Sequence, residues 1–276
     1  MNIKAAFIGG GNMGGALIRG LLARGLSATN IRVGEAYEAR RISLAGELGI
    51  HATADNREAV AGADVVVLAV KPQDMAATVK ALADELAHRK PLLISIAAGI
   101  RIGDIVSWCG HDAVVRAMPN RPALNSAGAT AIYAPAGVSD SHRDVAAQVL
   151  GAVGTTVWVQ EEDLLDVVTA LSGSGPAYFF LLAELMADAA VNLGLDRASA
   201  RELAIQTLFG SGLMARDSDG DLTRLRAEVT SKGGTTEAAV RAFDTANLRG
   251  IVASALAAAA DRGREMAQAF GNTKKT

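Results

Sequence analysis

Phe7-Ile8-Gly9-Gly10-Gly11-Asn12-Met13-Gly14 is the stretch that decides the fold. Before it, Lys4 to Ile8 is a short apolar run. After it, Ala16, Leu17, Leu21 and Leu22 recur at helical spacing, and Gly25 stands where a helix would close. The order is therefore strand, glycine turn, helix. Gly9 permits a tight turn, Gly11 lets the backbone approach a pyrophosphate, and Gly14 lets the helix pack closely on the strand. A lone glycine motif is weak evidence, but here both flanks are of the required type, so the spacing predicts a dinucleotide-binding unit.

The next strands support this. Ile31 to Val33 forms a second strand ending at Glu35, which lies 21 residues beyond Gly14. A carboxylate there is placed to receive the adenosine ribose hydroxyls, which favours NAD. Arg40 and Arg41 follow, and are placed either to meet a 2′-phosphate or to serve as surface charge on a helix. Asp64 to Val70 is a continuous apolar run, as in a strand buried on both faces, and it ends at Lys71-Pro72-Gln73. Ligands of open α/β sheets bind at that carboxyl edge. Further strands are predicted at Leu92–Ile96, Ala113–Ala117, Ala129–Tyr133 and Thr155–Val159, with helical patterns between the early ones, clearest at Asp74–His88. Met118-Pro119-Asn120-Arg121-Pro122 reads as a rigid turn after a strand. The expected fold is α/β, an N-terminal Rossmann-type doubly wound domain over residues 1–160.

From Glu161 the strand signals stop, and an all-helical domain is expected over residues 161–276. Helices are predicted at Asp163–Leu171, Ala177–Leu193, Arg197–Ala215, Asp221–Glu228, Thr236–Phe243 and Asn247–Phe270. Ser172-Gly173-Ser174-Gly175-Pro176 punctuates the first two, with Pro176 at a first helical position. Between the fourth and fifth lies Val229-Thr-Ser-Lys-Gly-Gly-Thr-Thr-Glu237. Two glycines free the backbone there, and Thr235 or Thr236 is expected as N-cap with Glu237 in the first turn. Such a loop offers unpaired N–H groups, a helix dipole and hydroxyls, a set suited to gripping a small carboxylate beside a neutral donor. A plain capped turn between helices is the alternative reading.

Composition excludes other classes. The 276 residues are 50% apolar but only 4% aromatic, so closely packed, alanine-rich helices are expected, Ala253–Ala260 above all. The formal net charge is −2, the pI is 6.1, and no block of like charge stands out. Nucleic acid and anionic membrane are thus not expected partners. Met1 to Ile8 is too short for a secretory core, and no uncharged apolar run approaches the length of a membrane span, so a cytoplasmic protein is expected. The single cysteine, Cys109, reads as a buried small hydrophobe and leaves no internal disulfide. No cluster has metal-ligand spacing. All four histidines (His51, His88, His111, His142) lie in the first half, and the second half has only Lys232, Lys274 and Lys275 as lysines. Dehydrogenases of the 3-hydroxyacid and 6-phosphogluconate type, by resemblance, use a lysine on a helix of the second domain. This chain has hydroxyls there instead. What remains is hydride chemistry needing a carboxylate grip and a modest donor, which suits a carbon–nitrogen double bond, since a protonated imine is already electrophilic.

Over essentially its full length the chain resembles the pyrroline-5-carboxylate reductases. The resemblance rests on the glycine loop, Ala69-Val70-Lys71-Pro72, Ser95-Ile96-Ala97-Ala98-Gly99, Arg116-Ala117-Met118-Pro119-Asn120, Ser172 to Tyr178, and Thr230 to Glu237 with Ala238 to Asp244 behind it. It implies reduction of 1-pyrroline-5-carboxylate to L-proline, the last step of proline biosynthesis, with NADPH, or with NADH as an alternative. It also implies a C-terminal helical domain that forms a homodimer, with a larger assembly of dimers as an alternative. Carried over by motif, Gly9, Gly11, Asn12, Met13, Gly14, Glu35, Asn56, Ala69, Val70, Lys71, Pro72 and Asn120 would hold the cofactor. Ser231, Gly234, Thr235 and Thr236 would hold the substrate carboxylate, with Ser231 and Thr236 the catalytic pair and Thr236 donating to the ring nitrogen. Two positions depart from the family: Arg121 stands where Thr is usual, and Lys232 where Pro is frequent.

Overall fold

The structure is a computed structural model, and it describes residues 3–271. Eight strands form one sheet: β1 (Ala5–Ile8), β2 (Ile31–Gly34), β3 (His51–Thr53), β4 (Val65–Leu68), β5 (Leu92–Ser95), β6 (Val114–Met118), β7 (Gly128–Tyr133) and β8 (Gly154–Trp158). Their order is β3-β2-β1-β4-β5-β6-β7-β8. All neighbours are parallel except β6 and β7, which are antiparallel. The chain starts at β1, steps out to β3, then returns past β1 to β4. The sheet thus reverses direction between β1 and β4, the point at which such sheets bind ligands.

Helices α1 (Asn12–Ala23), α2 (Glu38–Leu48), α3 (Asn56–Val60), α4 (Pro72–Ala81), α5 (Ala83–Arg89), α6 (Ile102–Cys109) and α7 (Asp140–Leu150) connect these strands. They cover the sheet on both sides, which is why its strands read as unbroken apolar runs. On one face Phe7, Val33, Val67 and Ile94 meet Leu17, Ile18 and Leu21 of α1 and Val149 and Leu150 of α7. On the other, Ile8, Val66, Leu68 and Leu93 meet Met75 and Val79 of α4, Leu86 of α5 and Ile105 of α6. Cys109 joins the second cluster, and its burial raises the thiol pKa above the usual value. Strand β3 is absent from the sequence reading because its three residues, His-Ala-Thr, carry no apolar run.

The helices that follow are α8 (Leu164–Val168), α9 (Gly175–Asn192), α10 (Arg197–Asp217), α11 (Leu222–Glu228), α12 (Thr235–Thr245) and α13 (Leu248–Gly271). By packing, the chain divides into two compact units, one running to Gly173 and resuming at Ala259, the other Ser174–Ala258. Residue 160 marks the change from strands to helices, but the packing border falls later. Leu165 and Ala170 are fully buried in the first unit, and Asp166 pairs there with Arg101, so the first helical segment belongs to the sheet. The five residues Ser172 to Pro176 mark the start of a second helix as expected, with Ser174 as the N-cap of α9, but no loop intervenes. Thr169–Gly173 forms a turn of π-helix that runs on into α9, with Pro176 in the first turn, where its missing N–H is no loss.

The stretch Leu164–Asn192 is long and apolar enough to cross a bilayer by length and composition. It carries Asp166, Glu184 and Asp188 within that length, which is why no uncharged run stood out in the sequence.

In the second unit α9 and α10 lie against each other, pinned at one end by the Arg197–Asp188 pair (2.9 Å). Asp196 caps α10 through Ser199 N and Asp221 caps α11 through Arg224 N, as their positions in the sequence predict. This unit has almost no core of its own. Phe179, Phe180, Leu185, Leu203 and Phe209 are each more than half exposed, and α11 and α12 bury no residue.

Candidate active site

In the first unit, β1 ends at Gly9, whose φ is +100° and whose N–H donates to Gly34 O at 2.8 Å. A side chain there would lie 2.7 Å from Ala69 O, and one at Gly14 would collide with Gly9 O. The turn is therefore closed to other residues at those two positions. At Gly11, by contrast, the nearest atom to an added Cβ is Arg40 Nη1 at 3.9 Å, so the space above the loop is open. Gly11 is the N-cap of α1, which has neither a side-chain cap nor an acidic residue in its first turn. Its leading N–H groups point to an open cradle, the arrangement that holds a phosphate.

A cleft of about 530 Å³ opens here. Nine of the residues anticipated for the cofactor line it: Gly9, Gly11, Asn12, Met13, Glu35, Asn56, Ala69, Val70 and Lys71. Three do not. Gly14 lies under the loop, and Pro72 begins α4 just past Lys71. Asn120 is buried and bridges the backbone instead, donating Nδ2 to Ser172 O (3.0 Å) and accepting from Ala129 N (2.8 Å). Ala36, Tyr37, Ala54, Asp74 and Thr78 also line the cleft; the first three follow strands closely and the last two stand on α4, and no motif singles any of them out. Asn56 sits directly over Gly34, where a side chain would meet its Oδ1. Lys71 is exposed, with no carboxylate partner among the described residues, so its charge is available to an anion.

Glu35 is buried at the end of β2. Its Oε2 accepts from Gly10 N (2.9 Å) and pairs with Arg40 Nη1 (3.3 Å), while Oε1 accepts from Tyr37 N (3.0 Å). Arg41 turns the other way, donating Nη1 to Glu35 O (2.9 Å) and Ala36 O (2.8 Å). Further along the carboxyl edge, buried Arg116 of β6 meets Glu162 (3.1 Å) and Asp166 (3.6 Å), and Arg101 pairs with Asp163 and Asp166. This five-residue network fixes the start of the Met118–Asn120 turn. Arg121, one residue on, is exposed and has no hydrogen-bond or ion-pair partner among the described residues.

In the second unit, Ser231 to Gly234 is a β-turn closed by Gly234 N to Ser231 O (3.0 Å), with Gly233 at φ +74°. A positive φ at the third residue is the mark of a type II turn, whose second residue favours proline but accepts others; Lys232 occupies it. The turn sets the next residue in extended conformation, so Gly234 is the N-cap of α12, not Thr235 or Thr236 as the sequence suggested. Thr235 and Thr236 are the first two helical residues. No side chain caps this helix; the first intrahelical bond is Ala238 N to Gly234 O (3.2 Å). Glu237 in the first turn accepts from Gly233 N (2.7 Å) and so stiffens the turn. The hydroxyls of Ser231, Thr235 and Thr236 have no hydrogen-bond partner among the described residues. Together with the leading N–H groups of α12 they form a neutral donor set at the positive end of a helix dipole.

Comparison with known proteins accords with both halves. The family described as "Pyrroline-5-carboxylate reductase dimerisation" matches residues 162–266, and that described as "NADP oxidoreductase coenzyme F420-dependent" matches residues 4–99. The pyrroline-5-carboxylate reductase of Pseudomonas aeruginosa is 47% identical, over 97% of this chain and 98% of that protein. That of Arabidopsis thaliana is 36% identical, over 97% of this chain and 96% of its own. A solved pyrroline-5-carboxylate reductase from Coxiella burnetii superposes with a TM-score of 0.93 at 40% identity, covering 96% of this chain and 99% of that one. The Plasmodium falciparum pyrroline carboxylate reductase, solved with NADP bound, gives 0.81 at 28% identity, covering 96% and 98%. On identity of this extent across nearly its whole length, the chain belongs to the pyrroline-5-carboxylate reductase family.

Proposed function

We propose that this chain reduces the carbon–nitrogen double bond of 1-pyrroline-5-carboxylate to give L-proline, the final step of proline biosynthesis, with NADPH as reductant and NADH also accepted. The observation that carries this reading is the uncapped start of α12, with its unmatched hydroxyls and N–H groups, in a chain 47% identical to a reductase of that name. The open cradle at Gly11 and Lys71, which has no carboxylate partner among the described residues, fit a dinucleotide, whose nicotinamide supplies the hydride when bound.

The remaining work falls to side chains and backbone of the second unit. Ser231, Gly234, Thr235 and Thr236 grip the substrate carboxylate through hydroxyls and N–H groups, which suit an anion without adding a competing charge. Thr236 donates its hydroxyl to the ring nitrogen. A hydroxyl suffices: bonded to the lone pair of the neutral imine it polarises the carbon–nitrogen bond, and the amine that forms as hydride arrives is basic enough to take its proton from water, so no strong acid from the protein is needed. Residues 161–276 then act as the substrate-binding and dimerisation domain and residues 1–160 as the nucleotide domain. The exposed apolar faces of α9 and α10 are read as the contact with a second copy, and the apolar length of Leu164–Asn192 as a first segment packed on the sheet followed by α9's share of that face, not as a membrane span. A single buried cysteine suits the reducing cytoplasm.

The test follows NADPH absorbance with purified protein and three substrates. Pyrroline-5-carboxylate should be reduced, 1-pyrroline, which lacks the carboxylate, should show a much raised KM, and 3-hydroxyacids should not be oxidised. Folded protein that binds NADPH yet does not turn over pyrroline-5-carboxylate would overturn the reading.

A further inference from the structure

The two arginines after β2, equivalent in the sequence, occupy different places in the structure. Both hydrogen bonds of Arg41, made by Nη1, hold the backbone of the β2–α2 loop, and Arg41 does not line the cleft. Arg40 does line it. Its guanidinium carbon stands 5.4 Å from the centroid of the Tyr37 ring, and of its nitrogens only Nη1 has a hydrogen-bond partner among the described residues, Glu35 Oε2. Glu35 itself is not the open carboxylate that reading of a ribose requires. Two backbone N–H groups and Arg40 occupy three of its roughly four acceptor positions, and only one, on Oε1, is left. Both vicinal hydroxyls of a ribose cannot be taken by one remaining position. The carboxylate is a brace between the glycine loop and the start of α2, and Arg40 is half-exposed above it.

We propose that the Glu35–Arg40 pair selects the nucleotide at the adenosine 2′ position: Arg40 leaves Glu35 for a 2′-phosphate and stays on it when a hydroxyl is there. The proposal rests on the reading of this cleft as the NAD(P)H site. Three features support it. A guanidinium fork pairs a phosphate by two parallel hydrogen bonds, better than the single contact Arg40 makes with Glu35. The Tyr37 ring offers the guanidinium a face on which to swing, since it is 67% exposed and lines the same cleft. The N–H groups of Gly10 and Tyr37 keep Glu35 in place and partly neutralised once Arg40 moves. With NADH, Arg40 remains as the counter-ion of Glu35 and the last acceptor position takes one ribose hydroxyl. Both nucleotides are then accepted, and the phosphorylated one is favoured by the arginine alone.

The experiment is direct binding, by nucleotide fluorescence or calorimetry, of NADPH and of NADH to the full chain and to Arg40→Ala, Glu35→Gln and the double variant. Arg40→Ala, a surface change, should weaken NADPH by about tenfold or more, because it removes the fork and leaves Glu35 facing the phosphate uncovered, while NADH changes by less than about threefold. Added salt should weaken NADPH binding to the unaltered chain more than to Arg40→Ala. Glu35→Gln on the Arg40→Ala background should restore part of the NADPH affinity, since the uncovered charge is then gone. Equal losses for the two nucleotides, or no recovery in the double variant, would overturn the selector while leaving the cleft as the cofactor site. Failure of the unaltered chain to bind either nucleotide would overturn the cleft reading, and the selector with it.

Discussion

A hydroxyl on the second residue of a helix ordinarily has little to do, because the N-cap residue before it captures the leading N–H groups. Thr236 is in that place, but the N-cap is Gly234, which has no side chain to do the capturing. The position therefore presents donors outward. Thr236→Val keeps the size and removes the donor. An interaction made mainly in the transition state should lower kcat more than it raises KM, by about 10- to 100-fold for the loss of one hydrogen bond worth about 1.5–3 kcal/mol. Ser231→Ala should act chiefly through KM for the substrate, and steady-state kinetics of both variants checks the division of labour. A Thr236→Val enzyme with kcat within about twofold of the parent would assign the hydroxyl to helix geometry alone. Cys109, 5% exposed and with its thiol pKa raised by burial, should stay neutral and resist alkylation at neutral pH in native protein. Stoichiometric labelling without denaturant would show that it is not in the core. At this scale the sequence named residues but not their partners. Glu35 was legible as an acid at a strand end, whereas its capture by Gly10 N and Tyr37 N depends on a loop path that no spacing rule encodes. Asn120 was anticipated in the cleft and instead ties Ser172 to Ala129, since its motif does not say which way the amide turns.

Among the elements, the strands were the most legible, because strands covered on both faces must be apolar throughout. Only β3 escaped, being three residues long at the sheet edge. Helix joints were less legible. Ser172 to Pro176 has the composition of a break, yet no loop forms: a π-helical turn ends at Gly173, Ser174 caps α9 and Gly175 opens it, and glycine allows close packing there, since a side chain at Gly173 would stand 2.9 Å from Met118 Cε. That packing, with the Arg101–Arg116–Glu162–Asp163–Asp166 network, is what draws the first helical segment onto the sheet. Arg116 and Asp166 are both nearly fully buried, and removing Arg116 leaves Asp166 with Arg101 alone and Glu162 without its ion-pair partner. Arg116→Ala should therefore cost about 3 kcal/mol of stability, the low end for a broken buried pair. Denaturant unfolding reads this directly, and a change under about 1 kcal/mol would mean that the network is solvated and contributes little.

At the scale of the whole molecule, the second unit is the part a single chain does not explain. Helices α9 and α10 enclose a groove of about 860 Å³ lined by Phe180, Ala187, Val191, Ile205 and Leu208, and large apolar side chains around it are exposed. Exposed apolar surface on this scale marks an interface, and the alanine-rich composition that made close helix approach legible in the sequence is suited to one between copies. Taken together, a reductase acting on pyrroline-5-carboxylate is expected to work as a dimer. Active-enzyme sedimentation tests both parts at once: a thin layer of protein is spun through NADPH and pyrroline-5-carboxylate, and the loss of nucleotide absorbance is followed as it moves. A front of NADPH oxidation should travel with a species of at least twice the 28.3 kDa chain mass. A front travelling at the mass of one chain, or protein that sediments without oxidising NADPH, would contradict it.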